Sequence, residues 1–327
     1  MQYATLGKSG LTVSRLCLGC MSYGDPGWRP WVLNEEQARP FFRRAVEAGI
    51  NFFDTADMYS IGVSEEVTGR LLREYAKLEE VVIATKVYFN MRDTPNMGGL
   101  SRKHIVQGCD ASLKRLNIGA IDLYQLHRFD PATPLEEVLE ALDLLVRQGK
   151  VRYIGASSTY AWKLMKAAGI ADQRRLPRFI SMQNHYNLLY REEEREMVPA
   201  CLDLGIGMIP WSPLARGLLA RGVAAGGSAR AASDNLTGQL YDNPGDAAIV
   251  EANAKVAAAR GVSPAETALA WLLGRPGVVA PIVGATKLEH LDTAIKALDL
   301  ELTSDEIAQL EAPYSPRPIR GWYEGRR

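Results

Sequence analysis

The chain has 327 residues, 47% of them hydrophobic and 23% charged, with 38 basic side chains against 38 acidic ones. A chain of this length and composition buries a large core without disulfides or structural metals, either as two ordinary domains or as one large closed architecture. The formal charge of zero removes the global field that recruits nucleic acid or an anionic membrane, so neither is expected as a partner, although a local basic patch can still hold a phosphate.

In chain order, Met1 to Gly7 lacks the segments of a signal peptide and no run of 18 apolar residues follows, which predicts a cytoplasmic protein. Tyr3 to Ser14 reads as a hairpin around Lys8-Ser9-Gly10, suited to plugging the bottom of a barrel. Eight short apolar runs rich in β-formers come next: 15–18, 51–54, 81–86, 121–127, 151–155, 179–183, 207–211 and 280–284. Between them, 35–48, 64–77, 101–117, 134–149, 192–204 and 247–260 carry helical apolar spacing, several opened by Ser, Thr or Pro and closed by Gly. Residues 215–245, rich in Gly, Ala and Asn, read as the longest unstructured connection, between the seventh and eighth of these strands. The four cysteines, Cys17, Cys20, Cys109 and Cys201, are too scattered for a disulfide framework, and the lone C-x-x-C of Cys17 and Cys20 reads as packing, so no metal is expected.

Apolar strands alternating with amphipathic helices call for a parallel sheet covered by helices. Eight such units suggest the α/β class and a closed (β/α)8 TIM barrel, one domain over 1–327, with the hairpin at its N-terminus and a C-terminal tail over the barrel mouth. A doubly wound sheet is the rival, but no G-x-G-x-x-G follows any strand; G-x-S-x-G is missing as well. In a barrel, catalytic groups sit at the C-terminal ends of strands. Asp54, Lys86 and His127 occupy such ends, and Tyr59 lies five residues past Asp54. Singly these read as a helix cap, a solvated lysine, a packed ring and a core histidine. Together, four proton-handling groups on one rim are the pattern of an active site.

The segments Asp54-Thr55-Ala56-Asp57-Met58-Tyr59-Ser60, Ala84-Thr85-Lys86, Gln125-Leu126-His127-Arg128 and Ile154-Gly155-Ala156-Ser157-Ser158 resemble the signatures of aldo-keto reductases. So do Met182-Gln183, Pro210-Trp211-Ser212-Pro213-Leu214 and Val283-Gly284-Ala285-Thr286-Lys287, and the likeness runs over almost the whole chain in order. It is closest to the bacterial YajO-type enzymes in Tyr186-Asn187-Leu188, the Arg191-Glu192-Glu193-Glu194 run and Ala312-Pro313-Tyr314. The resemblance implies a (β/α)8 barrel and NADPH-dependent reduction of a small-molecule carbonyl, with Asp54, Tyr59, Lys86 and His127 as catalytic tetrad. Tyr59 is the expected general acid, its phenol lowered by roughly 1–3 units from about 10 by the Lys86 cation. Asp54 is expected to hold that cation in place, and neutral His127 to donate to the substrate oxygen.

For NADP(H), the resemblance assigns Ser157, Ser158 and Gln183 to the carboxamide, Trp211 to the nicotinamide face, and Ser212, Leu214 and Gly217 to the pyrophosphate path. Gly284, Thr286 and Lys287 fall at the 2'-phosphate end. Where many members carry Arg and then Glu-Asn around the adenine, this chain has His290, Thr293 and Ala294. Loop aromatics Tyr23, Trp28, Trp31, Tyr88 and Phe89, with Trp322 and Tyr323 in the tail, suit an apolar or aryl carbonyl. Arg29, Arg128, Arg317 and Arg320 offer the alternative of an anionic or sugar-phosphate substrate. Two other activities compete on the same resemblance: a non-catalytic regulatory subunit, and non-redox sugar-phosphate chemistry of the deoxyxylulose-phosphate synthase kind. The oligomeric state is left open.

Overall fold

A computed structural model describes residues 1–221 and 236–320. Strands β1 (Tyr3–Thr5) and β2 (Thr12–Ser14) pair antiparallel, with Tyr3 opposite Ser14. The main sheet holds β3 (Cys17–Gly19), β4 (Phe52–Asp54), β5 (Val82–Val87), β6 (Ile121–Leu126), β7 (Val151–Ser157), β8 (Phe179–Gln183), β9 (Gly207–Met208) and β10 (Ile282–Val283). All neighbours are parallel, in the order β10-β3-β4-β5-β6-β7-β8-β9. The two ends of that order meet: Met208 N donates to Gly277 O (2.8 Å), Val279 N to Met208 O (2.8 Å) and Ile282 N to Pro210 O (2.9 Å). The sheet therefore curls round to close the eight-stranded barrel that the alternation of strand and helix predicts.

Helices α1 (Glu35–Glu47), α2 (Val63–Tyr75), α3 (Arg102–Leu116), α4 (Leu135–Arg147), α5 (Ala161–Arg174) and α6 (Met197–Leu204) cover the sheet, followed by Asp246–Arg260, Pro264–Leu273, Leu288–Lys296 and Ser304–Glu311. Three open on reciprocal capping boxes, Asn34 with Gln37, Ser263 with Glu266 and Thr303 with Glu306. The last two strands are shorter than their apolar runs because Pro210 and Pro281 have no N–H to give a ladder. Only the second half of 192–204 is α-helical, after a 3-10 turn at Glu192–Glu194. The connection expected to lack structure over 215–245 instead contains a 3-10 turn at Ala215–Gly217 and short helices Leu218–Arg221 and Leu236–Leu240; 222–235 lie outside the described residues.

Strand side chains alternate with period two, and this sorts the interior into layers. Phe53, Ile83, Tyr124, Ile154 and Met182 face outward, in one apolar cluster with helix residues such as Phe42, Leu71, Leu142 and Leu164. Phe52, Val82, Ala84 and Leu123 face inward and form a second cluster with Leu6 and Val13 of the hairpin. The hairpin thus stoppers one end of the barrel. Its turn touches the α6–β9 connection, where Lys8 N donates to Gly205 O (2.7 Å). Gly7, at φ +61°, allows that approach, since a Cβ there would stand 2.5 Å from Gly205 O.

Because Leu6 is fully buried in the inner cluster, at the end away from the upper strand termini, Leu6→Ala is expected to cost about 2–5 kcal/mol of stability. Denaturant unfolding alongside activity per folded molecule checks this. A large loss of specific activity with little loss of stability would contradict the plug role.

Candidate active site

The alternation that places Phe52, Ala84 and Leu123 in the barrel interior places Asp54, Lys86 and Gln125 one step higher on the same strands. Lys86 is wholly buried, and its Nζ donates to Asp54 Oδ1 (2.5 Å), to the Thr55 carbonyl (2.8 Å) and to Tyr59 OH (3.3 Å). The second carboxylate oxygen of Asp54 accepts from Gln125 Nε2 (2.9 Å) and Gln183 Nε2 (3.0 Å). Tyr59 is carried in by the turn after β4, whose backbone is held to the next strand by Thr55 N to Ala84 O (2.9 Å) and Asp57 N to Lys86 O (3.2 Å). The His127 ring meets Tyr59 edge-on at 5.8 Å between centroids. All four expected residues stand together.

The electrostatics depart from expectation at Tyr59. Burial pushes its phenol above the ordinary value of about 10, and the Lys86 cation, although it pulls downward, does not overcome that. For Lys86, desolvation opposes the charged form, yet Asp54 and Tyr59 outweigh it and hold the ammonium above its usual range. His127 is driven well below the usual imidazole range by burial first and by Lys86 and Arg128 next, so it is neutral. Its Nδ1 is buried without a hydrogen-bond partner.

The residues assigned to a cofactor line the ends of β7 to β10. Ser157 Oγ donates to the Gln183 carbonyl (2.9 Å), and the Trp211 indole Nε1 donates to Ser158 Oγ (3.1 Å). The Gln183 amide nitrogen is turned inward, to Asp54 and to Gln125 Oε1 (3.1 Å). Ser158, Ser212, Ala215, Arg216 and Gly217 all have positive φ, a concentration of strained backbone on this rim. Gly284, Thr286, Lys287 and His290 are exposed, and Lys287 starts helix Leu288–Lys296 without any side-chain cap. Ser212, Leu214 and Gly217 are half-buried nearby in sequence.

Of the loop aromatics, Trp28 stands 6.4 Å from the Tyr59 ring and Phe89 meets His127 edge-on at 4.8 Å. Tyr88 packs edge-on against Phe89 at 5.2 Å, and Arg128 lies over Phe89 at 5.7 Å. Trp31 is mostly buried, edge-on to Trp28. Tyr23 is not a substrate wall: it is fully buried between Phe41 and Phe42, with its hydroxyl donating to the Ala285 carbonyl (2.9 Å). Arg317 and Arg320 do not face a substrate either. The first is buried against Asp246 (2.7 Å), and the second pairs with Asp242 (2.5 Å) and donates its backbone N–H to Tyr190 OH (3.0 Å), so both fasten the tail. Trp322 and Tyr323 lie outside the described residues. Gln125 is a site residue that the sequence reading did not include, although it shares the inward parity of His127, which lies one residue past the end of β6.

A closed parallel barrel with ionisable side chains gathered at the carboxyl ends of its strands is the architecture of a barrel enzyme. The chain belongs to the aldo/keto reductase family, whose model matches residues 15–314. It is 44% identical to a versiconal hemiacetal acetate reductase of Aspergillus parasiticus, over 98% of each chain. It is also 44% identical to a Schizosaccharomyces pombe protein provisionally named an aryl-alcohol dehydrogenase, over 98% of this chain and 97% of the relative. A similarly named protein of Saccharomyces cerevisiae is 41% identical over 96% and 97%. Family and relatives make the protein an oxidoreductase of small-molecule carbonyl compounds; the fungal origin of these relatives lends the bacterial YajO-type subgroup no support. Among the described residues no helix is long and apolar enough to cross a membrane, and no group of three or more His, Cys, Asp or Glu is arranged to hold a metal.

One buried carboxyl beside the site is unpaired. Asp57 has both side-chain oxygens buried with no well-formed hydrogen bond among the described residues, and burial, with the nearby Glu65 charge, pushes it up to about 8 against the pull of Arg115, the neighbouring Met58 N–H and Lys86. An unfolded aspartate releases its proton near about 3.9, so between that value and pH 8 the folded chain holds the extra proton. The contribution of Asp57 to stability therefore falls as pH rises through that window. Asp57→Asn removes the effect, and its melting-temperature advantage over the natural chain is expected to grow from pH 5 to pH 8. A difference independent of pH would show that Asp57 is ionised or solvated throughout.

Proposed function

We propose that the protein is a cytoplasmic reductase that converts an aryl or similarly planar aldehyde or ketone to its alcohol with NADPH, using Tyr59 as general acid. The observation that carries this reading is the buried Lys86 ammonium, bonded at once to Asp54 and to the Tyr59 hydroxyl. The cofactor supplies the hydride that leaves negative charge on the substrate oxygen. Tyr59 OH holds the proton that this oxygen requires, and Lys86 stabilises the phenolate left behind. Asp54, saturated by Lys86, Gln125 and Gln183, keeps the ammonium charged and aimed. Neutral His127 has a ring N–H to offer the same oxygen without repelling Lys86.

The residues present fit a nicotinamide cofactor. Trp211 offers a partly exposed aromatic face beside the Ser157–Ser158 turn. At the other end, the uncapped start of helix Leu288–Lys296 leaves backbone N–H groups for a phosphate, next to Thr286 and Lys287. Among the described residues Lys287 pairs only with Glu289 (3.4 Å), both side chains more than two-thirds exposed, a pairing too weak to compete with phosphate. Trp28 and Phe89 about Tyr59 and His127 support a flat apolar substrate, as do the aryl-alcohol names of two relatives. The phenol, ammonium and carboxylate buried in one chain of hydrogen bonds favour redox catalysis over a regulatory subunit or non-redox sugar-phosphate chemistry.

Tyr59→Phe keeps the ring's packing and removes only the acid. It is expected to lower kcat for carbonyl reduction by about 10²–10⁴ with NADPH affinity unchanged, read by cofactor oxidation against a panel of aryl aldehydes. Retention of more than a tenth of the natural rate would remove Tyr59 from the mechanism.

A charge-assisted contact to phosphate contributes about 1.5–3 kcal/mol, or roughly 10- to 150-fold in affinity. NADPH is therefore expected to exceed NADH by at least about tenfold in kcat/KM, and Lys287→Ala to erase most of that margin by weakening NADPH alone. Cofactor saturation curves at one fixed ionic strength decide it, because an exposed phosphate contact weakens with salt. Equal use of both cofactors by the natural chain would show that Lys287 confers no preference, with the altered adenine positions His290, Thr293 and Ala294 offsetting it.

A further inference from the structure

His185 lies two residues beyond β8, outside the tetrad. Its imidazole is the middle layer of a three-ring stack, with Tyr190 at 4.2 Å and 13° on one side and Trp211 at 4.3 Å and 12° on the other. The ring is almost wholly buried. Its Nε2 lies 2.6 Å from Tyr241 OH, and Asn187 Nδ2 donates both to that hydroxyl (3.0 Å) and to the Ser212 carbonyl (2.9 Å). Tyr190, the outer layer, accepts at its hydroxyl from Arg320 N. Trp211 is thus gripped at its indole N–H by Ser158, at its backbone N–H by Asn184 O (2.9 Å), and over one whole face by His185.

We propose that His185 is a positioning residue that backs Trp211 and fixes the plane on which the nicotinamide ring is seated. This rests on the functional reading above, in which Trp211 takes the nicotinamide face. Stacked rings at these separations are favourable but shallow, so an aromatic platform in a loop needs a second ring behind it to hold its tilt. Hydride transfer is sensitive to misplacement of about 1 Å, which gives that tilt a catalytic consequence. A phenylalanine would stack as well but could not take the Tyr241 hydroxyl at its edge. The His185 Nδ1 is buried without a partner, a cost that a plain core filler would avoid. Burial drives the imidazole down to about 3, and Arg216, Arg317 and Arg128 act in the same direction, so the layer beneath Trp211 is uncharged. An uncharged layer does not repel the oxidised nicotinamide, which is itself a cation.

The test compares His185→Phe, which keeps a stacking ring, with His185→Leu, which fills volume without one. Dissociation constants are measured for NADPH and for 2',5'-ADP, which lacks the nicotinamide, together with single-turnover hydride transfer and melting temperature. The leucine variant is expected to weaken NADPH by roughly 2- to 12-fold and to slow single-turnover transfer, with 2',5'-ADP unaffected; the phenylalanine variant is expected to recover most of both. Equal weakening of the two ligands, equal behaviour of the two variants, or natural NADPH affinity and transfer rate in the leucine variant would overturn the role of His185. Absence of NADPH oxidation by the natural chain with any carbonyl would instead overturn the functional reading, and this inference with it.

Discussion

The arrangement depends above all on an ammonium and a carboxylate placed in the middle of a protein. Lys86 and Asp54 are both essentially removed from water, and ions so placed are tolerated only when every remaining donor and acceptor is met. Here they are met by partners from four separate places: the Thr55 carbonyl, Tyr59, Gln125 on β6 and Gln183 on β8. Removing one partner of such a pair costs about 3–5 kcal/mol, since the other charge is then stranded. The barrel is what makes this possible. Only a closed sheet brings the inward positions of β4, β5, β6 and β8 within hydrogen-bond reach of one carboxylate, and the hairpin with its Leu6 and Val13 keeps water from reaching them from below.

The rim carries the opposite kind of feature. Tyr59 is followed by Ser60, Ile61 and Gly62, all at positive φ, and the turns after β7 and β9 place Ser158, Ser212, Ala215, Arg216 and Gly217 there too. An L-residue in this region costs roughly 1–2 kcal/mol, and for the β-branched Ile61 the conformation is a true outlier. Such backbone persists where surrounding contacts over-determine it. Ser60 shows how: its hydroxyl accepts from Asp25 N (3.1 Å), so the turn that delivers Tyr59 is fastened to the loop carrying Trp28. Strain collects where side chains must be aimed, and the layers beneath are relaxed strand.

The alternation of apolar strands with amphipathic helices makes the barrel legible in the sequence, and the ends of those strands, with the family resemblance, single out the tetrad. Asp54, Lys86 and His127 close their apolar runs, and a carboxyl-terminal position of reactive groups is a property of parallel barrels in general. Loop aromatics have no such periodicity. Tyr23 and Trp28 lie in the same stretch, yet one is sealed between Phe41 and Phe42 and the other borders Tyr59. The alternative role of Arg317 and Arg320 at an anionic substrate fails for the same reason, since their acidic partners, Asp246 and Asp242, lie about seventy to eighty residues away in sequence. The direction of the Tyr59 shift was also hidden, because the Lys86 charge is visible in a sequence and the extent of burial is not.

That direction bears on the protonation state from which the proposed reaction starts. A phenol raised above 10 by burial is fully protonated at neutral pH, so the acid needed for carbonyl reduction is present in essentially every molecule. The reverse reaction needs the phenolate, which only a small fraction of molecules carry at that pH. Lys86 narrows the gap without closing it, and does so most where it matters: as the proton leaves Tyr59, the ammonium already lying 3.3 Å from the phenol oxygen meets the new charge without any reorganisation. The buried pair therefore serves the two halves of the step differently. On the proposed mechanism, desolvation keeps the proton in place beforehand, and the fixed cation lowers the barrier to its departure.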